Sequence, residues 1–133
     1  GVRGADQGAM TINLSLRRTY NDHPRPEDND KFWSVDCDGY YVASLVLVQG
    51  PSDQPPDWQW NFHLHPGRYG NGALQATPLS GRASSREAAL PDIRRAMERY
   101  LEFIGPEGWA AHVNHMEWLK ERKEATRRRE NRA

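Results

Sequence analysis

Four of the five histidines fall into two close pairs, His63 with His65 and His112 with His115. Two residues apart on a strand, the first pair leaves one face together. Three apart on a helix, the second pair also adjoins. Imidazoles gathered this way ligate zinc or nickel, so His63, His65, His112 and His115 form an alternative metal set if a helix carrying the second pair crosses the sheet face carrying the first. The plainer reading puts His63 and His65 on a wet polar face beside Gln59 and Asn61, with His112 flanking an apolar stripe. No carboxylate is spaced to orient the imidazoles from behind. The plainer reading is preferred, and no metal or cofactor is expected.

Other chemistry-bearing residues point away from catalysis. Cys37 stands between Asp36 and Asp38, and neighbouring negative charge raises a thiol pKa rather than activating it. Asp36-Cys-Asp-Gly resembles half a calcium loop, but position twelve is Leu47 where a bidentate glutamate is required. No Gly-x-Ser-x-Gly elbow and no GxxxxGK[ST] phosphate loop occurs. Gly67, Gly70 and Gly72 follow a strand without opening a helix at once, which is weak support for a phosphate cradle.

Basic residues offer a nucleic-acid alternative. Arg94 and Arg95 lie on one helical segment, and Lys120, Arg122, Lys123, Arg127, Arg128 and Arg129 crowd the end of a second. Such groups bind phosphates by releasing counterions. Interleaved glutamates at helical spacing give the competing reading of solvated helices.

The elements that would position these groups follow from periodicity. Ile12, Leu14 and Leu16 alternate with polar residues, predicting a strand over 11–20. Asp38-Gly39 between Phe32-Trp33-Ser34-Val35 and Tyr40-Tyr41-Val42 marks a tight hairpin. A regular two-residue turn would set Trp33, Val35 and Cys37 on one face with Tyr40, Val42 and Ser44. It would leave Tyr41, Ala43, Leu45 and Leu47 on the other. Trp58, Trp60, Phe62 and Leu64 alternate with Gln59, Asn61, His63 and His65, predicting a strand with an apolar and a polar side. Ala73–Thr77 reads as a short edge strand stopped by Pro78.

The period then changes. Ser84 with Glu87 resembles a capping box, although Pro91 allows a start nearer Leu90. Ala89, Ile93, Ala96, Met97, Tyr100 and Ile104 form a helical stripe, and Gly105-Pro106 stops it. A second helix is expected over 106–126, with Trp109, Val113, Met116 and Leu119 on one side, then a disordered basic tail over 127–133. Residues 1–10, ending Gly-Ala-Met, read as a cloning-derived leader.

The predicted fold is α+β: an antiparallel sheet of three to four strands, the hairpin plus the W-x-W strand, packed on one C-terminal helix and followed by a second helix. The sheet-helix domain spans 11–105.

Composition narrows the function classes. Eighteen basic and eighteen acidic residues cancel, which argues against a wholesale polyanion coat. The first 60 residues carry 5 basic and 9 acidic side chains, and the remainder 13 and 9. One cysteine precludes an intrachain disulfide and fits a reducing, cytoplasmic setting. No apolar run has the length of a membrane span.

Arg18-Thr-Tyr-Asn21, Asp38-Gly39, Trp58-x-Trp60 and Gly81-Arg-Ala-Ser-Ser-Arg-Glu-Ala-Ala89 resemble features of a group of small bacterial α+β proteins without a settled activity. The resemblance covers about two thirds of the chain and implies a three- or four-stranded sheet with one helix. The Gly81-x-Ala83-x-Ser85-x-Glu87-Ala88 opening is also similar to HicB-type antitoxins, from which the second helix and the long proline loops depart.

With apolar residues on both sides of the hairpin, one helix cannot cover everything. The function expected is therefore a non-catalytic protein-interaction or regulatory module. Its surface comprises Tyr41, Gln59, Asn61, His63 and His65, together with Trp109 and Met116 on the second helix. Its partner is another protein or a second copy forming a homodimer.

Overall fold

The computed structural model describes residues 12–20 and 25–132. The expected leader over 1–10, part of the first proline loop and Ala133 lie outside the described residues. Five strands form one antiparallel sheet in simple sequence order: β1 (Leu14–Arg18), β2 (Phe32–Cys37), β3 (Tyr40–Val48), β4 (Asp57–Phe62) and β5 (Ser80–Ala83). The α+β class with an antiparallel sheet is as read from the sequence; the strand number is larger.

The Asp-Gly turn forms as its residue types require. Asp38 and Gly39 both take positive φ, 52° and 85°, the primed geometry that matches strand twist. Beyond the turn the hairpin departs from regular alternation. Asp36 pairs with Tyr41 but Val35 pairs with Ala43, so Val42 is an extra residue in β3. This bulge shifts the phase of everything after it. Ala43, Leu45 and Leu47 are thereby brought onto the face of Val35 and Trp33, and Val42 and Leu45 are both fully buried. Of the apolar residues expected on the second face, Ala43, Leu45 and Leu47 move to the core side, while Tyr41 stays on the second face beside Phe32 and Val46. The two-residue count from the turn was sound, but a bulge cannot be seen by counting.

Ala73–Thr77, expected as a strand, is a helical turn, α1 (Ala73–Ala76). Ala-Leu-Gln-Ala contains no β-branched residue, and all four residues are good helix formers. Pairing with β4 begins only after Pro78, where Phe62 N–H donates to Leu79 O at 2.9 Å.

The C-terminal helical run extends over Arg86–Arg132 and is interrupted at Gly105. We number its parts α2 (86–104) and α3 (106–132). Ser85, not Ser84, caps α2 by accepting the Ala88 N–H at 3.0 Å. Pro91 is accommodated without a break; it is exposed, and it lacks only the N–H that would have met the Glu87 carbonyl. Gly105 sits at φ 71°, ψ −178°, a region essentially reserved for glycine. Pro106 then opens α3 at the position where its missing N–H costs nothing. The predicted stop is thus a redirection.

The basic tail is helical to Arg132 rather than disordered from 127. Lys120, Glu124 and Arg128 recur at i, i+4 spacing, which supports a helix without any core contact.

The predicted stripe of α2 is the core. Ala89, Ile93, Ala96, Met97, Tyr100 and Ile104 are buried against Val35, Val42, Leu45 and Trp60. Phe62 meets the Tyr100 ring edge-on at 5.6 Å. Each fully buried large side chain contributes roughly 1.5–3 kcal/mol. No helix among the described residues is long and apolar enough to cross a membrane.

Candidate functional site

The face of the sheet opposite α2 is polar, because every register partner of a core residue is followed by a side chain pointing the other way. It carries Arg17, Ser34, Asp36, Tyr41, Ser44, Gln59, Asn61 and Arg82, with Phe32 and Val46 as its apolar members. Tyr41 and His63 stack at 5.6 Å with an interplanar angle of 13°. His63 Nε2 lies 2.9 Å from Ser44 Oγ. The Arg17 guanidinium lies 5.9 Å from the Tyr41 ring, and its Nε donates to Asp36 Oδ2 at 2.7 Å. Asp36 is buried, and its other oxygen, Oδ1, has no partner among the described residues. Burial pushes the Tyr41 phenol above its ordinary pKa.

The surface expected from the sequence is divided by the fold. Tyr41, Gln59, Asn61 and His63 share this face. His65, Trp109 and Met116 do not. Strand β4 ends at Phe62, so the alternation that would have kept His65 beside His63 lapses. His65 turns instead to α3, its ring 4.1 Å from His115 and 6.1 Å from His112. Trp109 packs edge-on against Tyr40 at 6.4 Å and tilted against His112 at 5.4 Å. Met116 borders a small cleft with Tyr40 and Glu117, where Tyr40 Oη donates to Glu117 Oε1 at 2.8 Å.

Three of the four histidines therefore meet, as spacing suggested they could. His112 is fully buried. Its Nδ1 accepts the His65 backbone N–H at 3.0 Å, and its Nε2 lies 2.9 Å from the Tyr41 carbonyl oxygen. One nitrogen must accept and the other donate, which defines a neutral ring protonated at Nε2. Neither nitrogen has a lone pair to give. Among the described residues, no group of three His, Cys, Asp or Glu side chains is placed to hold a metal ion. Burial pushes the pKa values of both His112 and His65 below the ordinary imidazole value. His112 is a structural staple joining α3 to the ends of β3 and β4.

Cys37 is also fully buried, and burial pushes its thiol pKa up, with Asp38 adding to the rise. It packs as a small apolar side chain.

The expected basic residues are scattered. Arg94 reaches back to donate to the Ile12 carbonyl at 2.7 Å, and Arg95 pairs with Asp92 one turn away. Lys120, Arg122, Lys123, Arg127, Arg128 and Arg129 lie on the part of α3 that leaves the body. From 120 to 131 every residue is exposed except half-buried Ala125. At 1.5 Å per residue this arm extends about 18 Å. Arg122 lies over Trp118 at 4.9 Å.

Sequence reasoning missed strand β5, because Ser-Gly-Arg-Ala has no alternation to reveal a strand.

No family model, no curated protein and no solved structure matches this chain.

Proposed function

We propose that the chain is a non-catalytic interaction module that presents the uncovered sheet face around Tyr41, Gln59, Asn61 and His63 to a protein partner. One observation carries the reading: most of the apolar side chains of the sheet gather under α2, and the opposite face, with a stacked aromatic pair and Phe32 and Val46 among its polar groups, is left without that helix over it. A flat surface of mixed polarity, with tyrosine at its centre and charges at its margins, suits a protein interface. Arg17 and Arg82 are balanced there by Asp36 and Asp57, which favours a partner without strong charge. A second copy meets that description, since a two-fold axis sets like patches against each other.

Light scattering over a concentration series tests this, comparing wild type with Tyr41→Glu. The expected result is a doubled mass for wild type and a single-chain mass for the variant, with matching circular dichroism. A single-chain mass for wild type at the highest concentration rejects self-association through this face.

A second reading, binding of nucleic acid, is favoured by the projecting arm. Residues 120–132 hold seven basic side chains against three glutamates. Binding to random single-stranded oligonucleotides should weaken steeply with salt, by about 0.9 in log–log slope per phosphate neutralised, and should vanish when the arm is removed after Leu119. Absence of binding at low salt ends that reading.

A further inference from the structure

The sheet is open and has two edges, β1 and β5. The β5 edge lies beside a cleft of about 310 Å³ formed with α2 and lined by Trp60, Ser80, Gly81, Arg82, Arg95 and Arg99, among others. The register identifies which backbone groups face outward. Phe62 N–H donates to Leu79 O, and Phe62 and Leu79 are therefore a hydrogen-bonded pair. In an antiparallel ladder such pairs alternate with non-bonded ones. Gly81 opposite Trp60 and Ala83 opposite Trp58 are then bonded to β4, whereas Ser80 opposite Asn61 and Arg82 opposite Gln59 are not. The N–H and C=O groups of Ser80 and Arg82 point away from the sheet, which is the template for an added strand.

Two further observations say what would add. First, the cleft is cationic. Arg82 is well exposed and its carboxylate neighbour Asp57 stands 3.7 Å away; Arg95 is paired with Asp92; Arg99 has no acidic partner among the described residues. Arg95, Arg99 and Asp92 thus line the wall beside the Arg82–Asp57 pair, and the Arg99 guanidinium is left unbalanced. Second, Trp60 is buried with its indole N–H unpartnered. That edge of the ring lies against Gly81, where a Cβ would stand 2.7 Å from Nε1, so the unpaired donor borders the same cleft. Native interiors seldom leave such a donor unmet.

We propose that the β5 edge and the arginine-lined cleft dock an acidic, extended peptide segment of a partner protein by strand addition. The segment pairs with the outward N–H and C=O groups of Ser80 and Arg82. Its acidic side chains meet Arg95 and Arg99, and one of its oxygens accepts from Trp60 Nε1–H. Main-chain pairing supplies affinity, and the arginines select the acidic sequence. This site lies at the sheet's edge and does not depend on the uncovered face: Tyr41→Glu leaves it unaltered.

The test uses the full chain and a short synthetic peptide of alternating valine and glutamate, with a valine–lysine peptide and a random oligonucleotide as controls. On binding, the Ser80 and Arg82 amides should gain protection from hydrogen exchange and the Trp60 indole N–H resonance should move downfield. Arg99→Glu and Arg95→Glu should each weaken binding by about five- to tenfold. Ser80→Pro removes an outward N–H while leaving the β4 ladder intact, so it should weaken binding with the fold unchanged by circular dichroism. Equal binding of the lysine peptide, unprotected Ser80 and Arg82 amides in the saturated complex, or undiminished binding to Ser80→Pro overturns the proposal. So does an oligonucleotide that occupies these arginines when the acidic peptide does not.

Discussion

Replacing His112 by leucine isolates the staple between α3 and the sheet. Leucine retains an apolar side chain in the site but loses both ring nitrogens. The Tyr41 carbonyl and the His65 N–H, met at 2.9 and 3.0 Å, are then left without their partner. At about 1–3 kcal/mol for each of the two orphaned groups, the variant should be about 2–6 kcal/mol less stable above neutral pH. The pH dependence gives the sharper test. Only the neutral ring can accept from the His65 N–H, so a proton on Nδ1 would set two donors face to face. Burial holds His112 below the ordinary value of 6.5, and His65 shifts the same way. The unfolded chain takes up its proton near 6.5 while the folded chain resists. The staple's stabilisation is therefore complete above that pH and is lost as pH falls below it toward the folded pKa. The wild type should lose up to about 1.4 kcal/mol per pH unit from this one group. His112→Leu lacks that loss, so the gap between the two proteins should narrow as pH falls from ~7 to ~5. Carboxylate titration is common to both and cancels. Urea unfolding followed by tryptophan fluorescence at a series of pH values reads the difference directly. Parallel stability curves, or a cost under about 0.5 kcal/mol above neutral pH, would refute the assignment of a neutral bridging imidazole.

Gly105→Ala should destabilise by about 1–3 kcal/mol, because alanine is strained at φ 71°, ψ −178°; chemical denaturation measures it, and an unchanged midpoint would mean the redirection tolerates any residue. Gly81→Ala places a Cβ 2.5 Å from the Trp60 ring, so its midpoint should fall by the equivalent of about 1–3 kcal/mol, accompanied by shifts of the Trp60 indole resonance. Cys37, buried and with its thiol pKa raised, should react with a thiol reagent only at the rate at which the chain opens. Rapid native labelling, comparable to that in denaturant, would contradict its packing.

Residue order alone determined those features whose cause is local. The Asp38-Gly39 turn needs positive φ, the Trp58–Phe62 segment alternates at period two, and the α2 stripe recurs at 3.6. Gly105-Pro106 interrupts a helix for reasons that lie within those two residues. Each is legible because steric limits and side-chain periodicity act over a few residues. Tertiary structure decided what depends on partners distant in the chain. The Val42 bulge is imposed by the demand that Val35, Val42 and Leu45 share one core, and it overrode the regular count from the turn. The end of β4 at Phe62 separated His65 from His63, and the redirection at Gly105 carried His112 to two backbone groups it then staples. Strand β5 acquired its identity from the free side of β4, since Ser-Gly-Arg-Ala has no pattern of its own. Side-chain alternation sets which residues could share a face, but the face they take is set by what packs across it.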